Sequence, residues 1–308
     1  MLVVRCFFIP LCLIAISFTL MNLLGPNGVD WPAYSTVGIN FDRFYFYREP
    51  VGWGFILLLR DYGHIYLSGL LLSFLSLSAF CFSYEISRSA TLSFLLVIML
   101  MGSSLFLLLS VNGMRQGLAL VFIMLKFWAY CKKNKYAIFL FYILAILSHN
   151  SAAIFGIFFA FYFFSFVWFR YFILVFYFFS SSLIIEVASK NSNPTVNNNT
   201  FIFFMASIFV LVFSLFPRGA LHKRELNFLS FSVFFLASSF MWSSSVYERL
   251  IYYTLPIAIV LSGSKIIVYK PKMIRYISLF FAILIVWTYS ISHPSVIKNF
   301  LYAGGNLH

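Results

Sequence analysis

Long apolar segments separated by short polar connections make up most of the 308-residue chain. A helix rises 1.5 Å per residue, so about 20 apolar residues cross the roughly 30 Å hydrocarbon layer of a bilayer. The pattern predicts an all-α, polytopic integral membrane protein with about eleven transmembrane helices. They lie near 3–24, 65–83, 92–111, 116–131, 136–148, 151–169, 171–187, 201–217, 226–243, 250–264 and 276–292.

The central feature of this pattern is a helical hairpin over 112–151, with ionisable residues at both ends. One helix runs from Arg115 to the basic turn at 132–135, and the next climbs back to His149. Their heights are about 25 Å and 21 Å, so Arg115 and His149 reach a similar depth near the far membrane face. Ionisable groups are costly there, which makes both residues candidates for function.

Composition agrees with a membrane protein. Hydrophobic residues make up 62% of the chain and charged residues 9%, whereas a soluble domain carries about 25% charged residues. The mean hydropathy is +0.95. Because no long polar stretch interrupts the apolar segments, we expect one transmembrane domain over 1–308.

The net charge of +13 is explained by topology, so no nucleic-acid partner is expected. Most cations fall on alternate connections, which the positive-inside rule places in the cytoplasm together with the N-terminus. These cations are Arg5, Arg88, Lys132, Lys133, Lys135, Arg170, Arg218, Lys223, Arg224, Lys265, Lys270, Lys272 and Arg275. The four cysteines (Cys6, Cys12, Cys81 and Cys131) fall in the inner halves of spans, and we expect them to be reduced.

The predicted outer face carries mainly arginines: Arg43, Arg48, Arg60, Arg115 and Arg249. Arginine binds phosphate through a planar fork, so these residues favour a phosphate-bearing ligand. Arg249 stands about 24 Å above Lys265, near the depth of Arg115 and His149. Snorkelling of the two arginines to outer headgroups is the alternative, and the small and polar neighbours of Arg115 and His149 favour a wetted cavity instead.

The connection over 25–64 is predicted to be a periplasmic loop with an interfacial or re-entrant helix near 51–62. Its aromatic residues suit an interfacial belt. Aromatic faces beside carboxylates also suit carbohydrate, so both interpretations stay open.

Several motifs resemble the EpsG-like branch of the Wzy polysaccharide polymerases. They are Gly28-Val29-Asp30 with Tyr34, Glu49-Pro50-Val51-Gly52-Trp53-Gly54, Met114-Arg115-Gln116-Gly117-Leu118-Ala119 and Leu147-Ser148-His149-Asn150-Ser151-Ala152. The resemblance covers roughly 28–158, with a weaker match at Tyr247-Glu248-Arg249-Leu250.

The resemblance implies a multi-pass enzyme of the bacterial inner membrane. Such an enzyme transfers a growing glycan from undecaprenyl pyrophosphate onto a sugar hydroxyl of another lipid-linked repeat unit, on the periplasmic side. Its partners are then the lipid-linked oligosaccharide, membrane lipid and a chain-length regulator protein. We assign pyrophosphate binding to Arg115, Arg249 and Gln116, and sugar binding to Asp30, Tyr34, Trp53 and Tyr247. His149 is the first candidate for the base, with Glu49 and Glu248 next.

No metal or other cofactor is expected, because arginines can stabilise the charge on a pyrophosphate leaving group and no Asp-x-Asp motif is present in the sequence. Two other functions stay open. A flippase or exporter of the same lipid-linked sugars needs functional charge at both membrane faces. A membrane sugar acyltransferase needs a reactive histidine, and a convincing cytoplasmic cluster of His and Arg is missing from the sequence.

Overall fold

The computed structural model describes residues 2–25, 31–36, 47–153, 252–261, 263–264 and 272–292. Every regular element in these ranges is helical, which confirms the predicted all-α class for this part of the chain. The chain forms two compact units, Met1–Ala152 with Lys270–His308 and Ala153–Tyr269.

The first unit contains α1 (Leu2–Leu24), α2 (Trp31–Thr36), α3 (Pro50–Leu59), a 3-10 turn (Arg60–Tyr62), α4 (His64–Ser87), α5 (Ala90–Met101), α6 (Ser104–Val111), α7 (Met114–Cys131), α8 (Lys135–Ser148) and α10 (Lys272–Ser292). In the second unit the described residues include α9 (Tyr252–Leu261). The predicted spans near 171–187, 201–217 and 226–243 lie outside the described residues, as does most of 151–169.

Helix length and composition alone identify fewer membrane spans than the sequence predicts. Within the described ranges, α4 is long and apolar enough to cross a bilayer, and α5 with α6 counts as a second candidate if the bent pair is one span. Four further apolar helical segments are shorter: Phe8–Leu24, Lys135–Ser148, Tyr252–Leu261 and Tyr276–Thr288. An eleven-span architecture therefore remains a prediction.

The central helix of the first unit is α4, which packs against α1, α5, α6 and α7. Its leucines are fully buried at 67, 71, 72 and 75. Several serines are also buried in α4, and their hydroxyls donate back to the helix: Ser73 to the Gly69 carbonyl and Ser76 to the Leu72 carbonyl, both at 2.7 Å. These short side chains satisfy their own polar groups and let neighbouring helices approach closely.

The predicted span over 92–111 is not one continuous helix. It breaks between α5 and α6, which meet at a bend of 67°. The indole of Trp287 in α10 packs against Gly102, where a side chain would collide with the ring, and its Nε1–H donates to the Ile98 carbonyl at 2.8 Å. Ser103 then caps α6 by accepting from the Phe106 amide at 3.3 Å. The break is thus stabilised by a tryptophan that lies 189 positions from its acceptor.

The basic turn between α7 and α8 is tied to α4 through Glu85. This buried carboxylate accepts from Arg88 at the end of α4 and from Lys132 Nζ at 2.7 Å. Asn134 caps α8 by accepting from the Ala137 amide at 3.1 Å. The hairpin over 112–151 is therefore fixed at its lysine end.

At the other end of the hairpin, α3 approaches the end of α8 closely. A Cβ at Gly52 would collide with the Ser148 carbonyl oxygen and lie 3.1 Å from Arg115 Cγ. A glycine is needed here because the two backbones pass too close for any side chain.

We predict that Gly52→Ala lowers the free energy of unfolding by about 1–3 kcal/mol, the usual cost of forcing extra atoms into a packed contact. Thermal unfolding of the purified protein in detergent measures this loss. Gly54→Ala, in the same helix, is the matched control, because nothing lies within 4 Å of its added Cβ. Equal destabilisation by both variants would contradict the close approach.

Candidate functional site

A buried carboxylate, Glu49, joins three separate segments of the chain. Glu49 directly precedes α3, where Pro50 occupies the first turn and favours helix initiation. The residue is 6% exposed. Its Oε2 accepts from Arg115 Nη1 in an ion pair, and its Oε1 accepts from the backbone N–H of Asn150 at 3.0 Å. Glu49 therefore connects the start of α3, the start of α7 and the end of the 112–151 hairpin.

The guanidinium of Arg115 also lies over an aromatic ring. Its Cζ is 4.3 Å from the centroid of Trp53, a distance at which the ring face attracts a cation. The Arg115 side chain is 25% exposed, whereas Trp53 is 9% exposed. Two N–H groups of this pair, Arg115 Nε and Trp53 Nε1, are buried without a hydrogen-bond partner in the described part of the chain.

The turn that presents Arg115 is held by two hydrogen bonds from the preceding segments. The carbonyl of Val111 accepts from His64 Nε2 at 3.1 Å, so His64 carries its proton on Nε2. The carbonyl of Asn112 accepts from the Tyr34 hydroxyl at 2.8 Å. Trp31 stacks on His64 with ring centroids 4.7 Å apart. Residues of α2 and α4 thus set the position from which Arg115 extends.

His149 lies in extended conformation between α8 and the helical turn that begins at Ser151. Its Nδ1 accepts from the Ser151 amide at 3.2 Å and lies 2.6 Å from the Ser151 hydroxyl oxygen. Because an amide can only donate, Nδ1 is unprotonated and the neutral ring carries its proton on Nε2. The unprotonated Nδ1 thus faces Ser151, and the base role predicted for His149 stays a prediction.

Arg48 extends the cluster on its exposed side. The side-chain amide of Asn150 contacts Arg48 through both of its ends. Its nitrogen donates to the Arg48 carbonyl at 3.2 Å, and its oxygen accepts from Arg48 Nε. A second arginine therefore lies beside the segment that binds Glu49. The cluster of Arg48, Glu49, Trp53, Arg115 and Asn150 is called the arginine–carboxylate cluster below.

The structure brings together several of the residues predicted from sequence, although not all in the expected way. Tyr34 and Trp53 are buried and pack edge to face with centroids 6.0 Å apart. Arg115 covers one face of Trp53, so a sugar cannot stack on that face. Gln116 turns back toward Gly113, where a Cβ would stand 3.1 Å from its Oε1. Asp30, Tyr247, Glu248 and Arg249 lie outside the described residues.

Four residues near the site were not assigned a role from the sequence: Arg48, His64, Asn150 and Ser151. The sequence does place Arg48 among the outer arginines and Asn150 as a polar neighbour of His149. The signal for His64 is weaker, because a histidine at the start of an apolar helix does not indicate which distant carbonyl it binds. Its contact with Val111 spans 47 positions and depends on tertiary packing.

The described ranges contain no group of three or more His, Cys, Asp or Glu side chains placed to hold a metal ion. Comparison of the chain with protein-family models, with curated proteins and with solved structures finds no match. The resemblance to polysaccharide polymerases accordingly stays a prediction.

We predict that Tyr34→Phe lowers the free energy of unfolding by about 1 kcal/mol, the usual contribution of one hydrogen bond, because it leaves the buried Asn112 carbonyl without that donor. Thermal unfolding in detergent measures the change. Tyr136→Phe is the matched control, since Tyr136 is 91% exposed. A loss of equal size in the control would argue against a specific role for the Tyr34 hydroxyl.

Proposed function

We propose that the protein is a membrane-embedded glycosyltransferase that polymerises lipid-linked oligosaccharide repeat units at the outer face of a bacterial inner membrane. The observation that carries this proposal is the arginine–carboxylate cluster. It combines a cation with open hydrogen-bonding capacity and a buried carboxylate, and His149 directly precedes Asn150 in the chain. These are the groups needed to hold a pyrophosphate and to take a proton from a sugar hydroxyl.

Exposed apolar helix faces support a membrane location. On α8, large apolar side chains are exposed at 136, 139, 140 and 143, which is the spacing of one helix face. On α10, a similar stripe runs through 273, 274, 277, 280, 281, 284 and 285. Exposed apolar patches of this extent are unfavourable in water, and lipid is the environment that covers helix faces of this kind.

Charge distribution supports the orientation. The lysines at 132, 133 and 135 lie at one end of the α7–α8 hairpin, and Arg115 lies at the start of α7. The 18 residues of α7 span about 27 Å, close to the thickness of the hydrocarbon layer. If the lysine turn is cytoplasmic by the positive-inside rule, the arginine–carboxylate cluster faces outward.

In the proposed reaction the bond between the anomeric carbon and the pyrophosphate oxygen breaks, and the acceptor hydroxyl oxygen bonds to that carbon. The leaving pyrophosphate takes the electron pair, and Arg115 stabilises its charge. Glu49 receives the hydroxyl proton, because each carboxylate oxygen has a further lone pair beyond the hydrogen bonds it already accepts.

A sugar acyltransferase is the second candidate, and one observation favours it. The Ser151 hydroxyl lies 2.6 Å from an unprotonated histidine nitrogen, as in an activated serine nucleophile. The Ser151 amide donates to the same nitrogen, however, and this pair of contacts is also what a helix-capping side chain makes. The polymerase proposal does not require Ser151 to react. An exporter is less well supported, since the charges at the lysine end, Glu85, Arg88 and Lys132, pair with each other.

We predict that Arg115→Lys and Glu49→Gln each abolish the long-chain glycan ladder and leave lipid-linked single repeats. The first removes the guanidinium fork, and loss of one oxyanion donor typically costs about 10²–10³ in rate. The second removes the proton acceptor, and general base catalysis typically contributes about 10²–10⁴. Gel analysis of surface glycan from a complemented deletion strain measures this. Arg88→Lys is the matched control, since it retains a cation beside Glu85.

The deletion strain separates the three functions. Loss of a polymerase leaves single-repeat product, loss of an exporter leaves no surface product, and loss of an acyltransferase leaves full-length chains without acyl groups. Normal ladders from well-expressed Arg115→Lys and Glu49→Gln variants would exclude the assigned site.

We also predict that the lysine turn is cytoplasmic. Cys131 is exposed beside Lys132 and can report on this. A variant that keeps Cys131 and carries Ala at 6, 12 and 81 should react with a membrane-impermeant maleimide in inverted vesicles and stay unlabelled in right-side-out vesicles. The reverse pattern would contradict the proposed orientation.

A further inference from the structure

Two buried donors in the arginine–carboxylate cluster lack an acceptor. They are Arg115 Nε–H and Trp53 Nε1–H, and no acceptor for either lies in the described part of the chain. Folded proteins satisfy the great majority of their buried donors, so unsatisfied ones call for an explanation. Both belong to side chains in direct contact, because the guanidinium lies 4.3 Å from the centroid of the indole ring.

The Arg115 guanidinium has one N–H group bonded to Glu49 and another, on Nε, without an acceptor. Glu49 takes a hydrogen from Nη1, at the end of the planar group. The side edge, formed by Nε and Nη2, is a separate two-donor fork of the kind that binds carboxylate or phosphate oxygens in a bidentate manner. Glu49 therefore fixes the plane of the guanidinium without using the Nε–H.

The Trp53 ring face has a complementary role. It supports the guanidinium from one side, while Tyr34 packs against the same ring in an edge-to-face contact. The indole is 9% exposed, so its orientation is fixed by packing. The Nε1–H is consequently a preorganised donor on the ring that the guanidinium covers, and a preorganised donor binds an anion without reorganisation.

We infer that the Nε edge of Arg115 and the Nε1–H of Trp53 together form a binding position for an oxygen of a pyrophosphate group. Glu49 keeps its hydrogen bond to Nη1 of Arg115 when this oxygen binds. Trp53 is in this assignment a hydrogen-bonding ligand residue and not a platform for a sugar ring. The identity of the ligand rests on the proposed function, whereas the position of the oxygen rests on the two donors.

The test uses the purified full-length protein in detergent and Trp53→Phe, which keeps an aromatic face under the guanidinium and removes the N–H. Titration calorimetry with inorganic pyrophosphate, and separately with farnesyl pyrophosphate as a lipid-linked form, measures affinity. We expect both probes to bind Trp53→Phe about tenfold more weakly than wild type, the effect of losing one hydrogen bond to a charged group. Stronger binding of the farnesyl form by wild type would indicate that the lipid adds contacts.

Trp287→Phe is the matched control, because the indole N–H of Trp287 already has an acceptor, the Ile98 carbonyl. It should keep wild-type affinity for both probes. Equal affinity of wild type and Trp53→Phe would overturn the inference and leave the proposed function standing, with water as the occupant of the two donors. Equal weakening in Trp53→Phe and Trp287→Phe would also overturn it. Failure of wild type to bind either probe would overturn both proposals.

A measurement on wild type remains decisive if Trp53→Phe does not fold. The protein has six tryptophans, and each gives one indole N–H resonance after ¹⁵N-tryptophan labelling. Pyrophosphate should shift one of these resonances downfield and leave the Trp287 resonance, assigned from Trp287→Phe, in place. The absence of any indole shift at saturating pyrophosphate would contradict the assignment.

Discussion

The ion pair between Glu49 and Arg115 is the contact on which the described site depends. Moving a carboxylate out of water is costly unless its oxygens are paired and hydrogen-bonded, and Glu49 meets this condition with a guanidinium on one oxygen and the Asn150 amide on the other. The pair forms because Gly52 lets α3 approach the end of α8 without a collision. It also depends on the α6–α7 turn, whose carbonyls are held by Tyr34 and His64. Changes in any of these residues should therefore act on the position of Arg115.

Each end of the α7–α8 hairpin holds a buried glutamate paired with a cation, but the two ends differ in how many hydrogen-bond donors are satisfied. At the lysine end, each oxygen of Glu85 is paired with a cation. At the other end, Glu49 uses part of the hydrogen-bonding capacity of Arg115, and buried donors remain on Arg115 and Trp53. A saturated cluster stabilises the fold, whereas an unsaturated one has free energy to gain from an anion. This difference is the physical reason for placing function at the arginine end.

Several features could be predicted from the sequence because they depend on local pattern. Five helices begin and end within a few residues of their predicted bounds: α1, α4, α7, α8 and α10. The charged residues at the ends of the hairpin were also evident, since ionisable groups are conspicuous beside apolar runs. The break between α5 and α6 could not be predicted, because the sequence over 92–111 is mostly apolar and the indole that stabilises the break comes from α10. The tautomer of His149 and the contact between Trp53 and Arg115 likewise depend on neighbours that sequence spacing does not reveal.

The sequence by itself determined the helical class, the alternation of basic and apolar segments and the candidate residues Glu49, Arg115 and His149. These follow from hydrophobic periodicity and from the cost of ionisable groups near apolar segments, both of which are properties of short stretches of chain. Tertiary structure decided which of these residues meet and how. It placed one carboxylate between Arg115 and Asn150, laid the guanidinium over one face of Trp53, and set Nδ1 of His149 against Ser151. Hydrogen bonds and ring contacts act over a few ångströms, so partners that are 66 and 101 positions apart are determined by packing and not by sequence proximity.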